Sequence, residues 1–326
     1  MQSTEAERGP ATREGVEAPR PHPFAGEPVH AVIVAYNSAA TIRACVTPLL
    51  AAGAFVTVVD NASPDDTAAA LEGLDVDLVH AAGNDGFAAG CNLGAPRGDA
   101  PYVLLLNPDA TIGADGLAPL VDALELDPAA GLVAPRILED DGTLAYSQRR
   151  FPRLRSTYAQ ALFAHRLLPG ASWTDEVIRD EAAYATPGAP DWVSGACILI
   201  RRSALERLGG LDDAFFLYSE DIDLCARVRE AGWDVRFEPA AVARHTGGAS
   251  RPSEELLPVL AASRVLYARK HPRSTLGVVL ETGGIALGHA THAVTSIRRP
   301  AARRGHVAAL KAALGAPADP RERRGA

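Results

Sequence analysis

Four places in this sequence put acidic or imidazole groups where protein chemistry is commonly done. Asp60 ends the apolar run AFVTVVD, and Asp109 closes the tripeptide Asn107-Pro108-Asp109 behind another apolar run. Glu220, Asp221 and Asp223 follow the aromatic stretch Phe215, Phe216 and Tyr218, and His245 stands just before two glycines. A carboxylate at a strand exit can hold Mg2+ or Mn2+ through one or two oxygens, leaving positions for phosphate oxygens. Pro108 supports that reading of Asp109, because a residue without an N–H stops a strand and fixes where its neighbour points. A carboxylate beside apolar walls, as Asp221 would be, can act as a positioned base. The same acids also suit the first turn of a helix, where the macrodipole and unpaired N–H groups favour negative charge. His245 becomes a metal ligand if the fold brings it beside Asp109. Asp60 either accepts hydrogen bonds from a ribose or base, or caps a turn together with Asn61.

The elements that must position these groups read as alternating strands and helices. HAVIVAYNS (30–38) predicts a β-branched strand leaving through Ala35, Tyr36 and Asn37, followed by a helix over 39–51. AFVTVVDNAS (54–63) predicts a second strand, and Ser63-Pro64-Asp65 heads a helix to about Leu71. VDLVHAAGN supplies a third strand and GFAAGCNLGAPRG a helix opened by glycine. PYVLLLNPDA (101–110) is nearly all apolar, as expected of a parallel strand buried on both faces. This alternation predicts a doubly wound α/β domain whose ligands gather beyond the carboxyl ends of the strands. That rule singles out Tyr36-Asn37, Asp60-Asn61, Asn84 to Gly86, and Asn107 to Asp109. From 134 to about 190 the pattern weakens, and Arg149, Arg150, Arg153 and Arg155 punctuate a loop-rich insert. Order returns with a strand over 196–200, a helix, a second helix over 221–231 headed by the acids, and a strand over 234–238.

At 326 residues and 47% hydrophobic content the chain can bury a substantial core without staples. Its net charge of −8 is uneven: from Arg264 onward there are 12 Lys and Arg against 3 Asp and Glu, a net of +9, which leaves −17 for the remainder. An acidic body argues against nucleic acid as a partner, while the basic tail suits an anionic membrane surface. Cys45, Cys91, Cys197 and Cys225 are widely separated and show no CxxC pairing, which argues against a disulfide framework or zinc site and favours reduced thiols. No basic-then-apolar leader opens the chain, and residues 1–27 read as a disordered extension. The first strand lacks GxGxxG and no GxxxxGK[ST] occurs, which argues against dinucleotide and P-loop sites. LGVVLETGGIALGHATHAV (276–294) is apolar yet interrupted, and Glu281 at a membrane centre would cost about 2.5–3.5 kcal/mol. With RRPAARR (298–304) behind it, an interfacial segment on an anionic leaflet is expected, the alternative being a helix packed on the domain.

Six stretches, VIVAYNS, VVDNASPDDT, NDGFAAGCNLG, LLLNPDA, WVSGACILIRRSALERLGGLDDAFFLYSEDIDLCARVREAGW and ARHTGG, occur in this order between about Val29 and Ser250. As an ordered set they resemble the inverting nucleotide-sugar glycosyltransferases of family 2, which share the GT-A fold, a Rossmann-like, mostly parallel sheet flanked by helices. The Asn-Pro-Asp form and the GGLDDAFFLYSEDIDLCARV block are most similar to bacterial rhamnosyltransferases of cell-wall and polysaccharide assembly. The resemblance implies that Asp60 contacts the nucleoside and that Asn84 to Asn92, with Gly86 and Phe87, shapes the nucleotide pocket beside Ala35, Tyr36 and Asn37. It implies that Asp109 binds metal and donor diphosphate, with Asn107 in place of the motif's first aspartate. It further implies that His245 is a second metal ligand, that Asp221 is the general base with Glu220 beside it, and that Trp192 and Gly195 line the sugar pocket. The expected activity is transfer of a sugar, L-rhamnose from TDP-rhamnose first among donors, to a hydroxyl of a glycan or polyprenyl-diphosphate-linked sugar, with Mg2+ or Mn2+. The alternatives are a UDP-sugar transferase (galactofuranose or N-acetylglucosamine), a sugar-nucleotide-binding scaffold without turnover, and a glycosidase with two acids flanking one bond. The expected division is a donor half over 28–133, an acceptor half over 134–250 and a helical, basic extension over 251–326. The expected location is cytoplasmic, peripheral at the inner face of the cell membrane.

Overall fold

VHAVIVA, YVLLL and CILIR are apolar at nearly every position, a pattern that suits strands covered on both faces. The computed structural model describes residues 29–168, 171–246 and 253–315. Its first half runs β1 (Val29–Ala35), α1 (Ile42–Ala51), β2 (Phe55–Asp60), β3 (Asp77–His80), α2 (Phe87–Gly94), β4 (Tyr102–Leu106), β5 (Ala110–Thr111), α3 (Ala114–Leu126) and β6 (Ala130–Leu138). Short strands β7 (Leu144–Ala145), β8 (Gln148–Arg149) and β9 (Trp192–Val193) follow, with helices α4 (Leu154–Ala161) and α5 (Ala164–Leu167) between the last two. Then come β10 (Cys197–Arg201), α6 (Arg202–Arg207), α7 (Glu220–Glu230) and β11 (Asp234–His245). Helices α8 (Ser253–Lys270), α9 (Thr275–Thr295) and α10 (Pro300–Leu314) complete the described chain.

The main sheet is ordered β3-β2-β1-β4-β10-β6-β11-β5, with β7 on the side of β6. β1 lies parallel to β2 and β4, and β6 parallel to β11, but β10 enters antiparallel between β4 and β6. The strand expected to be parallel on both sides is therefore parallel on one only. Its two faces are nonetheless both buried: Leu104 and Leu106 join Ile33 and Leu120 in one core, while Val103 and Leu105 join Val34 and Ile198 in the other. Gly90 and Gly94 let α2 lie close on β1, since a Cβ on either would stand 2.5 Å from Val34 or Val32.

Several predicted elements differ. No α-helix forms over 65–71; a single 3₁₀ turn, Ala69–Leu71, takes its place. The reason is local, because Asp65 accepts a hydrogen bond from Ala39 N–H (3.0 Å) and Thr67 Oγ1 accepts one from Ser38 N–H (2.9 Å). These bonds stitch the loop to the exit of β1 instead of capping a helix. Residues 39–41 are turn rather than helix, and α1 starts at Ile42. The unassigned stretch after Asp109 holds β5, α3 and β6, and β11 continues past Glu238 through a register irregularity to His245.

The 276–294 segment, expected at a membrane interface, is a helix packed on the domain. Glu281 is hydrogen-bonded by the Thr157 hydroxyl, Tyr158 OH donates to Leu280 O (3.0 Å), and Gly284 faces Thr157 at 2.8 Å from its would-be Cβ. The outer side stays apolar, with Leu276, Val279 and Val294 each more than 60% exposed. Among the described residues no helix is long and apolar enough to cross a membrane. Residues 1–27, predicted to be disordered, lie outside the described residues.

Candidate active site

The first acidic station is built by sheet register. β4 ends at Leu106, Pro108 ends the run, and β5 begins at once, pairing antiparallel with the end of β11 so that Ala110 faces His245. Thr246 N–H donates to Asp109 O (3.1 Å), closing the join. His245 Nε2 consequently stands 3.1 Å from Asp109 Oδ1 and 3.3 Å from Asn107 Nδ2. Burial works to lower the His245 pKa, but the hydrogen bond and charge of Asp109, with Glu139 and Asp140 nearby, raise it overall. Two residues 136 positions apart in the sequence thus share one small site of a carboxylate, an imidazole and an amide.

The second station heads α7. Tyr218 and Ser219 both take left-handed backbone conformations (φ 67° and 66°), which places a sharp corner directly before Glu220. Non-glycine residues pay about 1–3 kcal/mol for such φ values and keep them where surroundings dictate. The surroundings here are α2: Phe87 N–H donates to Phe216 O (2.9 Å), and a Cβ on Gly86 would stand 2.7 Å from Phe216 Cα. Gly86 itself has φ +94°, so only glycine allows this close approach. Asp221 then points back at the sheet: its Oδ2 accepts from Gly195 N–H (3.0 Å) and its Oδ1 from its neighbour Ile222 N–H (2.8 Å). Glu220 is buried, and its Oε2 has no hydrogen-bond partner among the described residues. Burial first, then the charges of Asp221 and Asp223, push its pKa up to about 8. Burial also raises Asp221, opposed by the two N–H donors and the positive charge of Arg149. Asp223, the third acid, is occupied structurally by Arg227 (2.7 Å) and His271 (2.8 Å).

One peptide segment joins the stations. Gly195 N–H holds Asp221, while the carbonyl of the next residue, Ala196, accepts from Asn107 N–H (3.0 Å). The exit of β4 and the head of α7 are therefore fixed against the two ends of one dipeptide. Trp192, three residues earlier, is half-buried; its indole N–H donates to Arg150 O (3.0 Å) and its ring lies 5.7 Å from the Arg149 guanidinium.

At the exits of β1 and β2, Asp60 is buried, accepts from Ser63 N–H (3.0 Å) and lies 3.5 Å from His80 Nδ1. Ala35 is buried in the core, Tyr36 is half-buried, and Asn37 is exposed with φ 55° and donates its N–H to Ser63 Oγ (3.1 Å). Asn84 Oδ1 accepts from Asn61 Nδ2 (3.0 Å) and Gly86 N–H (3.2 Å), organising the turn into α2. Asn92 does not turn towards that exit: both ends of its amide pair with the Leu211 backbone (2.7 and 2.8 Å), so it ties α2 to the loop before α7.

Two more residues stand beside these groups, one singled out with Asp60 at the strand exit and one from the arginine-rich stretch. Asn61 is buried at the β2 exit, with Nδ2 bonded to Asn84 and to Gly86 O, and Oδ1 without a partner among the described residues. Arg149 is half-buried beside Trp192, and its Nε is likewise unpartnered among the described residues. The Asn following Asp60 was a visible signal for the first. For Arg149 the only signal was the arginine-rich stretch, which does not say which of four guanidiniums turns inward.

A mixed sheet with helices on both faces, an acidic station at the exit of its fourth strand and a second at the head of a later helix define a GT-A type of α/β protein. The chain belongs to glycosyl transferase family 2, whose model matches residues 30–209. It is 34% identical over 203 residues to the N-acetylglucosaminyl-diphospho-decaprenol L-rhamnosyltransferase of Mycobacterium tuberculosis, covering 58% of this chain and 66% of that relative. It is 32% identical over 148 residues to rhamnosyltransferase WbbL of Escherichia coli, covering 45% of this chain and 53% of the relative. The chain thus spans just under two thirds and about half of these relatives' lengths. Among solved structures it is similar to the mannosyltransferase PcManGT of Pyrobaculum calidifontis in complex with GDP-Man and Mn2+, at TM-score 0.53 and 17% identity over 88% of this chain and 86% of that one.

Proposed function

We propose that this protein is an inverting glycosyltransferase that moves a sugar, L-rhamnose from TDP-rhamnose in our reading, onto a hydroxyl of a lipid-linked sugar. The observation that carries the reading is the dipeptide Gly195-Ala196, gripped by the Asp221 carboxylate at one end and by Asn107 N–H at the other. It sets a base and a diphosphate-binding station on two sides of one site, as single displacement at an anomeric carbon requires. Family membership and the names of the two rhamnosyltransferase relatives favour this donor and a diphospholipid acceptor.

In this mechanism Asp221 accepts the acceptor hydroxyl's proton. Its two N–H donors keep it aimed, and its burial beside Glu220 raises its proton affinity towards that of a working base. Glu220, protonated over most of the range below pH 8, leaves one negative charge in the pair. Asn61, Asn84 and Asp60 present polar groups to the nucleoside, and Arg149 with Trp192 faces the sugar. Asp109 and His245 would hold Mg2+ or Mn2+, which neutralises the departing diphosphate. The residues fit such an ion, because one carboxylate and one imidazole leave the remaining positions to phosphate and water. Among the described residues no cluster of three or more His, Cys, Asp or Glu is arranged to hold a metal by itself. Residues 28–133 serve the donor, 134–250 the acceptor, and the 251–326 extension supports the acceptor side at the inner membrane face.

The second reading is transfer of a different sugar, galactofuranose or N-acetylglucosamine from a UDP donor. Thermal melts with TDP-rhamnose, TDP, UDP-galactofuranose, UDP-N-acetylglucosamine and their diphosphates, with and without Mn2+, separate the readings. TDP compounds should give the largest shift; a larger one with UDP-sugars reassigns the donor, and none with any sugar nucleotide refutes transfer.

A further inference from the structure

A cavity of about 380 Å3 opens between the start of α4, the end of α8 and the start of α9, on the far side of the cluster that buries Phe215 and Ile222. Arg153, Arg155 and Arg273 stand on its wall, and no carboxylate among the described residues ion-pairs with any of them. A fourth guanidinium, Arg264, is neutralised by Glu176 through bonds of 2.5 and 2.7 Å. The wall's one carboxylate, Glu281, is engaged by the Thr157 hydroxyl, and burial holds its pKa above the usual range. Three guanidiniums lining one cavity without an ion-pairing carboxylate suit an anion with several oxygens, which arginine grips in a bidentate manner.

Two further observations say which anion. Leu276 and Val279, 66% and 63% exposed, flank the lining residues Gly277 and Val278 on α9, so an apolar chain leaving the anion has an apolar surface beside it. At the inner end His271 lines the cavity and bonds Asp223 (2.8 Å), two residues from Asp221 on α7, an axial advance of about 3 Å. The cavity thus reaches, through His271, the α7 helix that carries Asp221 on one side and has an apolar surface on the other.

We infer that this cavity binds the diphosphate of a prenyl-linked acceptor, with Arg153, Arg155 and Arg273 as its ligands. The inference rests on the reading of a lipid-linked acceptor and assigns that acceptor's charged joint to the α4–α8–α9 layer, away from the donor diphosphate at Asp109. Nucleoside diphosphate has the same anionic chemistry, and the test separates the two sources.

Calorimetric titration of citronellyl diphosphate and of inorganic diphosphate, both in chelator, into the full chain, Asp109→Asn and Arg155→Gln/Arg273→Gln provides it. Citronellyl diphosphate should bind the full chain and Asp109→Asn equally and bind the double variant on the order of 100-fold more weakly, as expected for two lost charge-assisted contacts. Inorganic diphosphate should bind the same site at least tenfold more weakly than the prenyl compound. Both arginines are exposed, so the double variant should melt within a few degrees of the full chain. Loss in Asp109→Asn with the double variant unaffected would put the prenyl diphosphate in the donor station. No binding to the full chain, or equal affinity for the two diphosphates, would equally overturn the inference. None of these outcomes depends on turnover, so a wrong donor assignment leaves the test standing.

Discussion

Asp221→Asn is less conservative here than the similar shapes suggest. Both carboxylate oxygens accept from backbone N–H groups, Gly195 on Oδ2 and Ile222 on Oδ1. An amide offers one acceptor, so one N–H must face an NH2 group. Leaving a buried donor unsatisfied costs about 1–3 kcal/mol. Removing the negative charge next to Glu220 offsets part of that, since Asp221 is the second cause of Glu220's raised pKa. The net loss should be about 1–2 kcal/mol, a fall of roughly 2–8 °C in Tm, and the protein stays folded at assay temperature. Turnover should fall far more, by about 10²–10⁴-fold, because the amide cannot take the acceptor's proton. Initial rates of nucleoside diphosphate release, with calorimetry of donor binding, separate the two effects: kcat collapses while donor affinity stays within a few-fold. Asp223→Asn is the control, since Asp223 pairs with Arg227 and His271 and should lose stability with little change in kcat per folded molecule. Turnover of Asp221→Asn within tenfold of the parent would refute the assignment and leave these acids as a helix cap.

Glu220→Gln should flatten the pH dependence of stability. The folded pKa of about 8 lies above the ordinary 4.5, so the folded state holds the extra proton and the stability contribution is lost as pH rises from about 4.5 to 8; Tm scans over that window should show a smaller decline in the variant. Gly86→Ala should destabilise by about 3 kcal/mol or more, combining a positive φ with a collision against the Phe216 backbone, and should depress kcat because the corner before Glu220 moves; a Tm within 2 °C of the parent would contradict that docking. Asp109→Asn, or chelation of divalent metal, should abolish the thermal shift produced by sugar nucleotides while leaving the unliganded Tm nearly unchanged. A shift that survives either treatment counts against the metal station.

What local sequence determined is every feature set by a short-range pattern. The all-apolar runs became β1, β4 and β10 because β-branched and leucine-rich segments bury both faces, and the acids at 220–223 became a helix start because a first turn favours negative charge. The ordered motifs were enough for the family and for the polar groups at the strand exits. Tertiary structure decided the rest, where two readings of a segment were locally equal. Asp65 could have capped a helix, but hydrogen bonding to Ala39 was available only once β1 and its following turn were in place. Asp223 looked like Asp221 in sequence, and only the return of α8 with His271 made one a structural tie while Gly195 engaged the other. The apolar 276–294 segment was interfacial or packed by composition alone, and the Thr157 and Tyr158 contacts chose packing for one face. Asp109 and His245 met because β5 pairs with the end of β11, a register between residues more than 130 positions apart that no local propensity encodes.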